Sequence, residues 1–232
     1  MDAMEPVVTA LRAESQRLYD KVSILPEAEW DRPSPCRPWT VRELMAHMTA
    51  GVGRVAAMLA EPEGAADRLV SAAGYYAPDA RFSVRANALR TESAQEGAAS
   101  HPDGWALAEH FDSVWRAVVA GCDGLPPGRL VRTRHGDPMA LGDFLVTRVV
   151  EVCVHGFDLA EGLGDEPWPT DEAADVVARL LLDGRPYAVG ASVPGMDWDR
   201  TTFLRKATGR LPMSAAERAA VQRHGVVRLT LG

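Results

Sequence analysis

The valine-rich stretch around residue 150 carries polar side chains three or four residues apart: Arg148, Glu151, His155 and Asp158. On an α-helix these side chains fall within an arc of about 80°, with Glu151 and His155 one turn apart. A buried carboxylate beside an imidazole is costly unless a partner compensates for it. The E-x-x-x-H spacing therefore indicates that Glu151 and His155 bind one divalent cation.

Two ligands do not make a zinc site, and His47 is the candidate for the third. It lies in an apolar helical segment, and Gly51 one turn later leaves room beside a ligand or allows close helix packing. Two histidines and one carboxylate with an open position are typical of catalytic zinc. Structural alternatives stay open from residue types alone: a core histidine at position 47, an Arg148–Glu151 salt bridge, and a surface position for Asp158.

The elements that must position these residues are helices. Apolar periodicity predicts helices over residues 7–22, 105–120 and 141–162. Another helix begins at Thr40, which forms a capping box with Glu43, and runs to about residue 59. Residues 62–84 are ambiguous and mostly loop, and 85–97 is a further helical candidate. This pattern predicts a mainly α fold built on a four-helix bundle.

The remaining segment is predicted to form a small α/β C-terminal domain over residues 170–232, after a bundle over residues 1–165. Helices are expected over 173–182, 202–207 and 214–222, and a strand over 226–231. Ser214 and Glu217 form a second predicted capping box.

Composition and charge exclude several classes of protein. A net charge of -7 over 232 residues argues against binding to nucleic-acid phosphates. No apolar run reaches the ~18 residues of a membrane span, and no secretory signal is expected at the N-terminus, so we expect a cytoplasmic monomer or homodimer. The cysteines are far apart, which predicts no disulfide framework, and Cys36 is expected to be a small buried residue.

Two segments resemble the mycothiol-dependent maleylpyruvate isomerase family, which belongs to the DinB-like metal-binding four-helix bundles. They are PCRPWTVREL at residues 35–44, followed by His47, and RVVEVCVHGFDL at residues 148–159. The resemblance covers roughly residues 5–163. It implies a divalent metal ion, usually Zn²⁺, held by His47, Glu151 and His155.

A weaker resemblance extends into the C-terminal segment, where residues 203–210 look like a recurring stretch of that family. It implies a role in activity for Arg210, although a solvated basic helix end is the alternative. Arg205 and Lys206 are then expected to help bind an anionic ligand. Arg148 would steady a bound ligand or pair with the metal-binding carboxylate, and Asp158 would orient the groups around the metal.

The resemblance also suggests a mechanism. Mycothiol, the small thiol of actinobacteria, would serve as cosubstrate, and its metal-bound thiolate would attack an electrophilic, anionic small molecule. Rotation about the attacked bond followed by release of the thiol would give a cis–trans isomerase. Retention of the new carbon–sulfur bond would give a thiol S-transferase. Two alternatives remain from the sequence: a metal-dependent hydrolase, and a non-catalytic metal-binding or regulatory bundle.

Overall fold

The computed structural model describes residues 4–77, 83–183 and 197–229 of the chain. The elements in order are α1 Met4–Val22, α2 Glu27–Trp30, α3 Val41–Ala60, α4 Ala72–Tyr75, α5 Val84–Ala99, α6 Gly104–Gly121, β1 Leu130–Arg132, β2 Pro138–Ala140, α7 Leu141–Leu163, α8 Asp171–Leu181, α9 Arg200–Ala207 and α10 Ala215–Arg223. The predicted mainly helical fold is confirmed.

Four long helices form the bundle. Helix α1 packs on α6 and α7, and α3 packs on the same two helices from the other side. Helix α5, the further helical candidate, lies against α3. Helix α7 is buried around most of its circumference, so its polar side chains face other helices rather than water. The bundle predicted from helical periodicity is therefore present.

The first turn of α3 fixes the start of the helix that carries His47, the candidate third ligand. The Thr40 hydroxyl accepts a hydrogen bond from the Glu43 N–H at 3.2 Å, and the Glu43 carboxylate accepts one from the Thr40 N–H at 2.7 Å. Both bonds of the predicted capping box are thus formed, and they satisfy backbone donors that the first helical turn leaves unpaired.

A short hairpin that periodicity did not predict precedes α7. Strands β1 and β2 pair antiparallel, with Leu130 opposite Ala140 and Arg132 opposite Pro138. Each strand has three residues, which is too short for an alternating pattern to stand out in the sequence. Because β2 leads directly into α7, the hairpin anchors the N-terminal end of the helix that carries most of the candidate site.

The C-terminal segment packs on the bundle through α8, which contacts α1 and α7, while α9 contacts α8. The three helices predicted in this segment are confirmed. The predicted strand is not formed at residues 226–229, and residues 230–232 lie outside the described residues. The division into units over 1–165 and 170–232 stays a prediction. No helix in the described part of the chain is long and apolar enough to span a membrane.

Candidate metal centre

Helices α3 and α7 face each other and bring three potential ligands together. The Glu151 Oε2 atom lies 3.5 Å from the Nε2 atom of His155 and 3.9 Å from the Nε2 atom of His47. One ligand atom from each residue lies within 4.8 Å of the other two. The predicted triad, contributed by residues about a hundred positions apart in the chain, is therefore spatially assembled.

These separations fit a shared cation better than direct hydrogen bonds. Hydrogen bonds between nitrogen and oxygen prefer about 2.7–3.2 Å, and both Glu151–histidine distances are longer. Ligand atoms about 2.0–2.1 Å from a tetrahedral Zn²⁺ stand about 3.3 Å apart. Small side-chain movements would bring His47, Glu151 and His155 to that spacing, so the residues present fit a divalent cation.

Asp158 fixes the orientation of one imidazole from behind. Its Oδ2 atom lies 2.9 Å from the Nδ1 atom of His155, which leaves Nε2 directed toward Glu151. A carboxylate on the outer nitrogen of a metal-binding histidine sets the tautomer and raises the basicity of the ligand. Asp158 is only 2 % exposed, so it belongs to the interior of the site and not to the surface.

Two further groups meet at the Asp158 carboxylate. Arg210 donates to Oδ1 from Nε at 3.1 Å and to Oδ2 from Nη2 at 2.9 Å, a two-point ion pair. The thiol of Cys36 also donates to Oδ2, at 3.1 Å. Cys36 was expected to be simply buried; it is half-buried and bonded to the site, because the loop before α3 folds over the end of α7.

Burial and hydrogen bonding set the protonation of these groups. Burial, together with the charge of His155, lowers the pKa of His47 to about 4, so this imidazole is neutral at pH 7. Burial is the largest influence and would lower the pKa of His155, but the contacts with Asp158 and Cys36, together with the nearby Glu151 carboxylate, outweigh it and hold that pKa well above its ordinary value. Despite burial, hydrogen bonds from His155 and Arg210 keep the pKa of Asp158 well below its ordinary value.

Arg148 lies one turn from the triad in α7 but points to a different partner than expected. It makes no ion pair with Glu151 at salt-bridge distance within the described residues; instead, its Nη1 atom donates to the Gly51 carbonyl at 3.2 Å. A side chain at position 51 would meet this Nη1 atom at 3.1 Å. Gly51 therefore makes room for the Arg148 guanidinium and not for a metal ligand.

The basic residues predicted to act from the C-terminal segment differ in whether they contact the site. Arg210 reaches the site through Asp158, as described above. Lys206 forms an ion pair with Glu217 and lies 4.6 Å from the centre of the Trp198 ring. Within the described residues, neither Arg205 nor Lys206 forms a hydrogen bond or ion pair with a residue of the triad, and their role in ligand binding stays a prediction.

Two aromatic residues of the site were missed in the sequence. The Tyr76 hydroxyl lies 3.3 Å from the Glu151 Oε1 atom and 3.0 Å from the Thr147 carbonyl oxygen. The Trp39 ring packs at 4.7 Å on the His47 ring. Trp39 enters the sequence analysis only as part of the segment at residues 35–44. No local pattern marks Tyr76, because its contact with Glu151 joins residues 75 positions apart.

Comparisons with known proteins agree with this architecture. The family described as "Mycothiol maleylpyruvate isomerase N-terminal domain" matches residues 11–160. Two uncharacterized proteins of Mycobacterium tuberculosis, from strains CDC 1551 and H37Rv, are 29% identical over 183 residues, which is 79% of this chain. The matched region spans 66% of each relative, just under two thirds of its length.

A solved structure has a similar fold. The crystal structure of the mycothiol-dependent maleylpyruvate isomerase superposes with a TM-score of 0.52 at 17% sequence identity, over 77% of this chain and 69% of that chain. The family match spans more than half of the chain and includes all three residues of the triad. The chain therefore belongs to the mycothiol maleylpyruvate isomerase N-terminal domain family.

Proposed function

We propose that this protein is a metal-dependent enzyme that uses a small thiol, mycothiol in particular, to act on an anionic electrophilic molecule. Membership of the mycothiol maleylpyruvate isomerase family supports the thiol and the isomerase or S-transferase chemistry. The observation that carries the proposal is the convergence of His47, Glu151 and His155 on one point, with Asp158 behind His155.

The triad would hold the cation and leave a position open for the thiol. Binding of Zn²⁺ would displace the proton that the metal-free site holds on His155. Two neutral imidazoles and one carboxylate would then leave the ion with a net positive charge, which lowers the pKa of a thiol that coordinates it. Asp158 would keep the His155 ring in the orientation that presents Nε2 to the site. The thiol would add through its sulfur to a conjugated double bond of the electrophile, which becomes a single bond and can rotate. Loss of the thiol would restore the double bond and give an isomerase, whereas retention of the carbon–sulfur bond would give a transferase.

Arg210 links the C-terminal segment to this centre. Its Nε, Nη1 and Nη2 atoms donate to Asp158 and to the Thr208 carbonyl, so its guanidinium is already engaged. We infer that Arg210 neutralises the charge of Asp158 at the edge of the site, and that its remaining N–H groups contact the anionic substrate. A substrate carboxylate would gain a charge-assisted hydrogen bond in this position.

A metal-dependent hydrolase is less well supported. It would need a general base close to the triad, and Asp158 was the carboxylate available for that role. Asp158 accepts hydrogen bonds from His155, Cys36 and Arg210, which hold its pKa well below the ordinary value. A carboxylate held so strongly in its ionised form is a poor base.

Metal analysis and thiol titration test the proposal. We expect about one divalent cation per chain, lost in His47→Ala and in Glu151→Ala, whereas substitution of an exposed histidine of α6, His110→Ala, should retain it. Addition of mycothiol to the loaded protein should release protons in calorimetry carried out in two buffers. Metal retained in both triad variants would refute the metal site, and a loaded protein that does not respond to the thiol would favour a non-catalytic metal-binding bundle.

A further inference from the structure

Four arginines from four different elements lie around the side of the triad away from Asp158. They are Arg54 on α3, Arg90 on α5, Arg134 in the turn between β1 and β2, and Arg148 on α7. The charge of Glu151 favours the charged forms of Arg54, Arg90 and Arg148, and Glu151 lies one helical turn from Arg148 on α7. In the proposed function Glu151 is itself committed to a cation, so it would compensate the charges of Arg54 and Arg148 less.

Arg148 is the buried member of the cluster. It is only 3 % exposed, and its guanidinium lies 4.8 Å from the Phe144 ring and 5.7 Å from the Tyr75 ring. Its Nη1 and Nε atoms donate to Gly51 and Thr147, but the buried Nη2 atom has no hydrogen-bond partner in the described structure. An unpaired buried cationic donor is costly, which is the situation that a bound anion relieves.

Arg54 brings a second cation to the same place. On α3, the positions of His47, Gly51 and Arg54 share one helical stripe, and Gly51 is the residue in contact with Arg148. Within the described residues Arg54 forms neither a hydrogen bond nor an ion pair. Burial and the charges of Arg134 and Arg148 lower the pKa of Arg54 to about 10, although the charge of Glu151 acts in the opposite direction.

Arg134 stands at the rim of the cluster. It is exposed, and its Nε atom donates a hydrogen bond to the Nε2 atom of His135 at 3.1 Å. Within the described residues Arg134 forms no ion pair with a carboxylate. The solvent exposure of the arginines therefore increases from buried Arg148 through half-buried Arg54 to exposed Arg134. Such a gradient suits the entry of an anion from solvent.

We propose that Arg54, Arg134 and Arg148 form a binding site for an oxyanion beside the metal triad. The site would take a carboxylate or a phosphate, because both present several acceptor oxygens to guanidinium groups. It is separate from Arg210, which meets the triad from the Asp158 side. In the context of the proposed function, the site would hold one charged end of the ligand and leave the other end facing the triad.

Titration calorimetry with inorganic phosphate and with malonate tests this site on the full chain. The test variant is Arg54→Gln, since Arg54 makes no hydrogen bond whose loss would unfold the protein, whereas replacing buried Arg148 could. The control is Arg223→Gln, an exposed arginine on α10 that changes the net charge equally. We expect Arg54→Gln to weaken binding of the favoured anion at least about tenfold, and Arg223→Gln to leave it unchanged.

A His47→Ala variant separates this site from the metal site. The arginine site is supported if anion binding persists in His47→Ala and falls in Arg54→Gln, and if the metal content of Arg54→Gln is unchanged. That result would hold whether or not the proposed function is correct. Equal affinity in wild type and Arg54→Gln would refute it, as would no measurable anion binding by the wild type. Binding lost in His47→Ala but kept in Arg54→Gln would also refute it, because the cation would then hold the anion.

Discussion

At the level of single side chains, Asp158 connects three groups at one end of the site: His155, Arg210 and Cys36. It holds His155 at 2.9 Å and pairs with Arg210 through two hydrogen bonds. We predict that Asp158→Asn weakens metal affinity about 10–100-fold, because the amide no longer polarises His155 and no longer pairs with Arg210. Competition with a chromogenic chelator measures this. Unchanged affinity would show that His155 needs no support from Asp158.

Tyr76 acts on the opposite side of the triad, where its hydroxyl contacts Glu151 Oε1 and leaves Oε2 facing the two histidines. Tyr76→Phe should lower metal affinity about tenfold, since the carboxylate is then free to rotate. Tyr19→Phe is a matched control, because Tyr19 donates to Glu109 in a tyrosine–glutamate pair between α1 and α6. If both variants bind metal as tightly as the wild type, Tyr76 has no positioning role.

At the level of elements, the contact between α2 and the start of α6 depends on a missing side chain. A Cβ atom at Gly104 would lie 2.2 Å from the indole of fully buried Trp30. We predict that Gly104→Ala lowers the free energy of unfolding by about 1–3 kcal/mol or more, because the core cannot take up the added volume without moving Trp30.

Gly53→Ala on α3 provides the contrast in the same denaturation experiment. Its Cβ atom would lie 3.4 Å from a Val114 methyl group, an ordinary contact. Alanine is also favoured over glycine in a helix by about 1 kcal/mol. We therefore expect this variant to be as stable as the wild type or more stable. Equal destabilisation by both substitutions would contradict the steric account of Gly104.

At the level of the whole molecule, a buried carboxylate joins the bundle to the C-terminal segment. Glu14 on α1 accepts hydrogen bonds from the Thr170 N–H at 2.7 Å and from the Thr170 hydroxyl at 2.6 Å, at the N-cap of α8. Burial outweighs these bonds and raises the pKa of Glu14 above its ordinary value. The folded state therefore binds a proton at Glu14 more tightly than the unfolded state does.

This raised pKa predicts the sign of a pH effect. The stabilisation from protonated Glu14 is complete below the ordinary glutamate pKa and is lost as the pH rises through the raised, folded-state value. Urea unfolding of wild type and Glu14→Gln between pH 4 and pH 7 should show the wild type losing stability relative to the variant as the pH increases. A difference that is independent of pH would contradict a raised pKa at this site.

Much of the secondary structure was predictable because its causes are local. Helical periodicity and the Thr40–Glu43 capping box act within a few residues, and the structure confirms them. The β1–β2 hairpin was missed because its pairing, not its sequence pattern, stabilises two three-residue strands. The strand predicted over 226–231 failed at residues 226–229, where Val227 instead bonds the end of α8 through the Leu181 carbonyl at 2.7 Å.

The triad was predictable for a related reason: Glu151 and His155 share a helix turn, and His47 stands in a motif that resembles the family pattern. The contacts that complete the site are different, because they join residues far apart in the chain. Tyr76, Cys36 and Arg210 reach the triad or Asp158 only once the helices have packed. Spacing along one helix places side chains on a face, whereas only packing between helices decides which partners that face meets.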